Sequence, residues 1–294
     1  MKEALLWKSV GDKTVLCSLC AHRCRITSGN RGICSVRKNI DGTLYTYAYG
    51  RTIAENIDPI EKKPLYHFLP KSTTYSIAAA GCNFRCGFCQ NWNISQISTM
   101  GDDAEYHGKK AAPEEIVEKA LKHGCQSISF TYTEPAIFFE YALDTAKIAK
   151  QNGLKTVFVS NGYMTSQALQ MISPYLDACN IDLKSFRDDF YKKQCGASLQ
   201  PVLDSLKLIK KLGIWLEVTT LIITGENDSD EELKNAAAFI ADDLGKDVPW
   251  HVSRFFPQYK FSDRSVTQAE SVKKALKIGH EAGLSFVYAG NIVL

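Results

Sequence analysis

Ten cysteines in 294 residues are the main chemical resource of this chain, and seven of them fall into two close groups. Cys82, Cys86 and Cys89 occupy the stretch Gly81-Cys82-Asn83-Phe84-Arg85-Cys86-Gly87-Phe88-Cys89, a Cys-x3-Cys-x2-Cys spacing. Thiols two or three residues apart, in a chain with no export signal, read as metal ligands rather than disulfide partners. Three thiolates can hold three irons of a [4Fe–4S] cube and leave the fourth iron open to a ligand. A structural zinc with a distant fourth ligand is the plainer alternative. The second group, Cys17-x2-Cys20-x3-Cys24-x9-Cys34, offers four thiolates, with His22 as a substitute ligand. Four close either a tetrahedral zinc or a complete cluster, and either would help fold a stretch with little apolar material of its own. Cys125 and Cys179 fall in or beside apolar strands and read as small buried hydrophobes, while Cys195 precedes Gly196 in a loop. No base or orienting partner accompanies any of these three in sequence, so none is assigned catalysis.

The three-cysteine loop follows an apolar strand at 73–80, where a regular alternation begins. Further strands are predicted at 127–131, 155–160, 178–183, 215–223 and 250–255. Helices are predicted at 113–123, 136–151, 166–171, 201–211, 230–242 and 267–282, and a last apolar piece falls at 286–288. Glycines at 124, 153 and 213 mark helix ends. Strands alternating with helices imply parallel pairing through crossover helices, and six strands are too few for a closed eight-stranded barrel. The expected fold is therefore α/β: a partial (βα)6 barrel over residues 71–294, behind a small cysteine-rich metal-binding module at 1–70. In such folds chemistry gathers at the C-terminal strand ends.

Composition excludes much else. With 45% hydrophobic and 23% charged residues the chain is ordinary globular material, not a disordered one. Thirty-five basic against 32 acidic residues, net +3, give no argument for nucleic acid. No apolar run approaches the ~18 residues that cross a bilayer, and Met1 to Val10 lack the apolar core of a signal peptide, so a cytoplasmic protein off the membrane is expected.

The remaining strand ends carry polar residues of their own: Thr131-Tyr132-Thr133-Glu134-Pro135, Ser160-Asn161-Gly162-Tyr163, Ile181-Asp182-Leu183-Lys184 and Trp250-His251-Val252-Ser253-Arg254. Period-2 alternation puts Asp182 and Lys184 on one face. Opposite charges at the inward end of a buried strand are costly unless a ligand or their own pairing satisfies them. The bland readings are a helix-start acid at Glu134, a plain Asn-Gly turn at Asn161, an ion pair at Asp182 and a satisfied core histidine at His251.

With the aromatic Phe88 just before the last cysteine, Cys82, Cys86 and Cys89 resemble the signature of the radical S-adenosylmethionine (SAM) superfamily. The strand ends extend the resemblance over roughly residues 72–260, with particular similarity to pyruvate formate-lyase activating enzymes. The four N-terminal cysteines and the segment Trp250 to Pro257 look more like the AmmeMemoRadiSam-system branch. The resemblance implies that the open iron chelates SAM. One electron then cleaves its sulfonium to methionine and a 5′-deoxyadenosyl radical, which abstracts a hydrogen atom. It further implies SAM contacts at Phe88, Glu134 (the amino group), Asn161, Lys184 (the carboxylate) and His251 or Arg254, and a monovalent cation at Asp182. Where the family has Gly-Gly-Glu, this chain has Tyr132-Thr133-Glu134. The implied cofactors are a [4Fe–4S] cluster and SAM, with a second cluster or zinc at Cys17, Cys20, Cys24 and Cys34. The implied partners of this anaerobic, activase-like oxidoreductase are a one-electron donor such as flavodoxin or ferredoxin and a hydrogen donor, either a glycyl-radical enzyme, another protein or a small molecule. The competing reading is a non-catalytic iron–sulfur carrier or metal-stabilised scaffold, in which Glu134, Asp182 and Lys184 are incidental.

Overall fold

Apolar strands alternating with one-sided helices bury most when the strands lie side by side and each helix packs outside its crossover. The computed structural model, which describes residues 1–96 and 107–293, has that arrangement. Its main sheet comprises β1 (Ala54–Pro59), β2 (Thr73–Ala78), β3 (Ser127–Phe130), β4 (Lys155–Ser160), β5 (Ala178–Asp182), β6 (Trp215–Ile222), β7 (Trp250–Arg254) and β8 (Val287–Gly290), in that spatial order. From β2 to β8 every neighbouring pair is parallel, whereas β1 lies antiparallel to β2. The crossovers carry α1 (Pro113–Lys122), α2 (Phe139–Gln151), α3 (Ser166–Ile172), α4 (Gln200–Lys211), α5 (Asp230–Phe239) and α6 (Ala269–Glu281).

Local sequence explains these boundaries. Helix α1 opens with Pro113 and with Glu114 and Glu115 near the positive end of its dipole, and it buries Ile116, Val117 and Ala120. The Thr165 side chain accepts from the N–H of Ala168 to start α3, and Ser229 accepts from that of Glu232 to start α5.

Two expectations change. The sheet has seven parallel strands rather than six, because the short apolar piece near 286–288 pairs with β7, Trp250 opposite Val287. The sheet also begins before residue 71: Ala54 to Pro59 pair with β2 along its full length. That segment reads as a loop because it is polar and ends in proline, both of which an edge strand tolerates.

Ahead of the barrel, Trp7–Ser9, Val15–Cys17 and Arg25–Ile26 form one small antiparallel sheet, and Lys2–Glu3, Arg37–Ile40 and Thr43–Thr46 form another. Val15, Leu19, Ile26, Val36 and Leu44 are buried in the same continuous core as the barrel residues. A buried ion pair reinforces the junction: Arg37 donates to Glu140 on α2, whose carboxylate also accepts the N–H of Leu5 at 2.6 Å. Among the described residues, no helix is long and apolar enough to cross a membrane.

Candidate active site

The cysteine loop leaves the end of β2 through Gly81, at φ +100°, where a side chain would meet the Cys34 carbonyl oxygen at 3.1 Å. Only a residue without Cβ lets the N-terminal module approach so closely. The loop is pinned by backbone bonds from Arg85 N–H to the Cys195 carbonyl (2.8 Å) and from Gly87 N–H to that of Gln194 (3.1 Å). Phe84, buried below it, packs edge-on against Tyr163 and Tyr191.

Cys82, Cys86 and Cys89 line a cavity of about 600 Å³ over the C-terminal strand ends, together with Phe88, Glu134, Asn161, Asp182, Lys184 and His251. Burial, together with the charges of Glu134 and Cys86, raises the Cys82 thiol pKa, and burial and Cys86 raise that of Cys89. The three sulfurs thus sit within electrostatic reach of one another. Among the described residues no three Cys, His, Asp or Glu side chains converge as a single ion requires. Three thiolates beside an open cavity can hold three irons of a cube and leave the fourth iron to a ligand.

Glu134 follows Tyr132, whose φ of +63° is the left-handed conformation that glycine adopts most easily. The chain therefore keeps a glycine-like bend with a tyrosine in it. The Tyr132 side chain compensates: its hydroxyl donates to Asp58 and its ring faces the Lys63 ammonium at 4.3 Å. Lys63 in turn is 2.7 Å from the Asp58 carboxylate, which these partners hold well below its ordinary pKa despite its burial. The Glu134 carboxylate is buried and accepts from Ala136 N–H (3.0 Å), Ser160 Oγ (2.8 Å) and Asn161 N–H (2.8 Å). Burial nevertheless pushes its pKa up to about 7, against those donors. Three donors fill three of its roughly four lone-pair positions.

Sheet register aligns the opposite wall. Asp182, Thr219, His251 and Tyr288 are successive neighbours across β5 to β8. Lys184 reaches back to Asp182 at 2.9 Å. Burial disfavours its charge, but Asp182, Cys86 and Cys195 outweigh that and raise its pKa. Asp182 therefore already has a cation beside it. His251 stands between the cavity and Glu217, its Nε2 2.6 Å from a carboxylate that also accepts from Tyr66 N–H (3.0 Å), His67 N–H (2.9 Å) and the Trp215 indole (3.1 Å). Asn161 donates to Asn83 Oδ1 at 2.8 Å.

Arg254 does not join this set. It is absent from the cavity lining, its Nε donates to the Thr267 carbonyl at 2.9 Å, and its guanidinium faces Phe256. Strand alternation explains this: His251 and Ser253 face the cavity, and the residue after Ser253 points to the other side. Sequence reasoning missed Glu217, although a lone acid inside the apolar run Trp215 to Ile222 was a visible signal. It also missed Asn83, Lys63 and Tyr66, whose positions follow from long-range packing alone. Cys195, expected in a loop, ends the helical turn Tyr191–Cys195 and is fully buried beside Cys86.

The N-terminal cysteines gather as well. Cys17, Cys20, Cys24 and Cys34 line one hollow with His22, Arg37 and Ile137, and all are free thiols. Burial, followed by the neighbouring Cys34, pushes Cys20 up to about 12, and burial pushes Cys34 up to about 11. Arg37, itself buried, donates to Cys17 Sγ at 3.4 Å. Four soft donors in one hollow beside a buried cation fit a metal centre.

An open parallel barrel with a three-cysteine loop after its first parallel strand defines an α/β protein built to bind a metal cluster at its strand ends. The sequence profile of the radical SAM superfamily matches residues 76–240, and the chain belongs to that superfamily. It is 46% identical to an uncharacterized protein of Methanocaldococcus jannaschii over 99% of this chain and 86% of the relative. It is 24% identical to the pyruvate formate-lyase-activating enzyme of Clostridium pasteurianum over 67% of this chain and 86% of that enzyme. In fold it resembles a radical SAM methyltransferase from Sphaerobacter thermophilus, with a TM-score of 0.58 at 15% identity, over 76% of this chain and 67% of that one. Membership implies SAM and a [4Fe–4S] cluster, and radical generation is the chemistry of this family.

Proposed function

We propose that this protein is an activase-like radical SAM enzyme that abstracts a hydrogen atom from a protein or small-molecule substrate. When bound at the strand ends, a [4Fe–4S] cluster and SAM supply one-electron cleavage of a sulfonium and with it a hydrogen-abstracting carbon radical. The single observation that carries this reading is that one cavity gathers Cys82, Cys86, Cys89, Glu134, Asn161, Asp182, Lys184 and His251 from five separate segments of the chain. Cys82, Cys86 and Cys89 hold the cluster. Glu134 takes the amino group of SAM and Lys184 its carboxylate, with Asp182 positioning that lysine. Phe88 packs beside the Lys184 ammonium, its ring 5.9 Å away, and Asn161 holds the rim through Asn83. Their burial keeps water from the reacting centre and strengthens each charged contact. The electron comes from a low-potential carrier such as flavodoxin or ferredoxin, in a cytoplasmic, anaerobic setting.

Anaerobic reconstitution followed by dithionite and SAM tests the reading. Wild-type protein should form 5′-deoxyadenosine, and its paramagnetic resonance signal should change when SAM is added. Cys86→Ala should do neither. Absence of product from wild-type protein, or equal product from the variant, rejects the proposal.

A further inference from the structure

Asn83 touches both cysteine groups. Asn83, next to Cys82 in the chain and 1% exposed, accepts from His22 Nε2 at its carbonyl (2.8 Å) and from Asn161 at its Oδ1 (2.8 Å). Its amide lies beside the Cys20 thiol, yet Nδ2 has no aligned acceptor. A buried donor without a partner normally costs about 1–3 kcal/mol. Here it faces the N-terminal sulfurs. Arg37 repeats the pattern on the other side of that hollow: it donates to Cys17, and its buried Nε is unpartnered. Donors left over beside sulfur ligands suit a metal–thiolate centre, whose charged sulfurs accept such bonds, and the inorganic sulfides of a cluster would add further acceptors. Arg85 ties the same two segments, donating to the carbonyls of Cys82 (3.2 Å) and Ile33.

The outer side of the hollow is basic. Between Cys17 and Cys34 the sequence has Arg23, Arg25 and Arg31 and no acid, and from Lys13 to Ala54 it carries seven basic residues and one acid, Asp41, with buried Arg37 paired to Glu140 outside the stretch. That stretch is net +6 in a chain of net +3, so the remainder is net −3. Arg23 and Arg25 are exposed, and Ile33, 43% exposed, adds an apolar contact beside half-buried Cys24 and Cys34. A cationic rim around a partly exposed metal site steers a partner of opposite charge.

We propose that the N-terminal module is the electron inlet of the enzyme: it holds a second iron–sulfur cluster, its basic rim around Arg23 and Arg25 docks an acidic one-electron carrier protein, and the electron crosses at Asn83 to the Cys82–Cys86–Cys89 site. This inference rests on the radical SAM reading above. The step moves one electron from the reduced carrier to the N-terminal cluster and on to the second; the carrier is oxidised by one electron, and no bond or proton changes place.

The test uses the full-length, anaerobically reconstituted protein with reduced ferredoxin as the acidic carrier and dithionite as a small reductant that needs no docking. The wild type should hold about eight irons per chain. The double variant Arg23→Glu/Arg25→Glu should keep that iron. Reduction of its SAM-responsive signal by ferredoxin should slow about tenfold at low salt and lose salt dependence, while the dithionite rate stays unchanged. Cys20→Ser/Cys24→Ser should fall to about four irons, keep dithionite-driven 5′-deoxyadenosine formation and lose the ferredoxin-driven reaction. One zinc with about four irons in the wild type, or a ferredoxin rate that charge reversal leaves within twofold, overturns the inlet. A wild-type signal that ignores SAM rejects the radical SAM reading instead, a separate result.

Discussion

Replacing Glu134 with glutamine probes the link between burial and ligand charge. The carboxylate is buried, accepts three protein hydrogen bonds and lines the cavity that holds the three cysteines. Glutamine keeps the shape but loses the charge, and its NH2 group would face either the Asn161 N–H or the donors at the other oxygen. A hydrogen bond to a charged partner contributes about 1.5–3 kcal/mol, so SAM should bind roughly 10- to 150-fold more weakly. The pH dependence is more diagnostic. With a pKa near 7, the wild-type carboxyl is protonated in acid, so affinity for the cation should be full above pH 7 and about tenfold weaker at pH 6. The variant should show no such slope. The shift acts on the fold with the opposite sign: from the ordinary carboxylate range up to pH 7 the native state holds a proton that the unfolded chain has released. This group's contribution to stability therefore declines as pH rises. Anaerobic calorimetric titration of SAM between pH 6 and 8 measures the affinity, and urea unfolding confirms that the variant is folded. Equal affinity in a folded variant, or a wild-type affinity flat across that range, refutes the assignment.

Three further outcomes are expected. Glu140→Ala strands the buried Arg37 guanidinium and should cost about 3–5 kcal/mol in urea unfolding; a change under 1 kcal/mol would mean the pair does not hold the module to α2. Gly162→Ala puts a Cβ at φ +71° and 2.8 Å from Ile181 Cγ2, and should lower stability by about 1–3 kcal/mol, with a neutral result contradicting the packing at this strand end. Burial raises the Glu217 pKa, but bonds from His251, Tyr66 and His67 pull it below its ordinary value. Its stabilisation is thus present above the ordinary carboxylate range and lost as pH falls; Glu217→Gln should flatten the acid limb of a stability–pH curve, and an unchanged limb would deny the role.

Much of this protein was legible from local pattern. The Cys82–Cys86–Cys89 spacing behind an apolar strand, the helix starts at Pro113 and Ser229, and the alternation that turns Asp182 and His251 inward are short-range features, and period and turn chemistry determine them. The same rule, carried three residues along β7 from His251, would have excluded Arg254. Other features depended on the assembled chain. Ala54 to Pro59 becomes a strand only because β2 offers it an edge, and Val287 to Gly290 becomes one only because β7 does. Tyr132 holds a bend suited to glycine because Asp58, some seventy residues earlier, takes its hydroxyl. Asn83 meets both cysteine groups because the N-terminal module folds back onto the barrel through Arg37 and Glu140. Spacing along the chain determines which side chains share a face, but partners far apart in sequence meet only through burial of the common core. For that reason the ligand types belong to the sequence, and their shared cavity belongs to the fold.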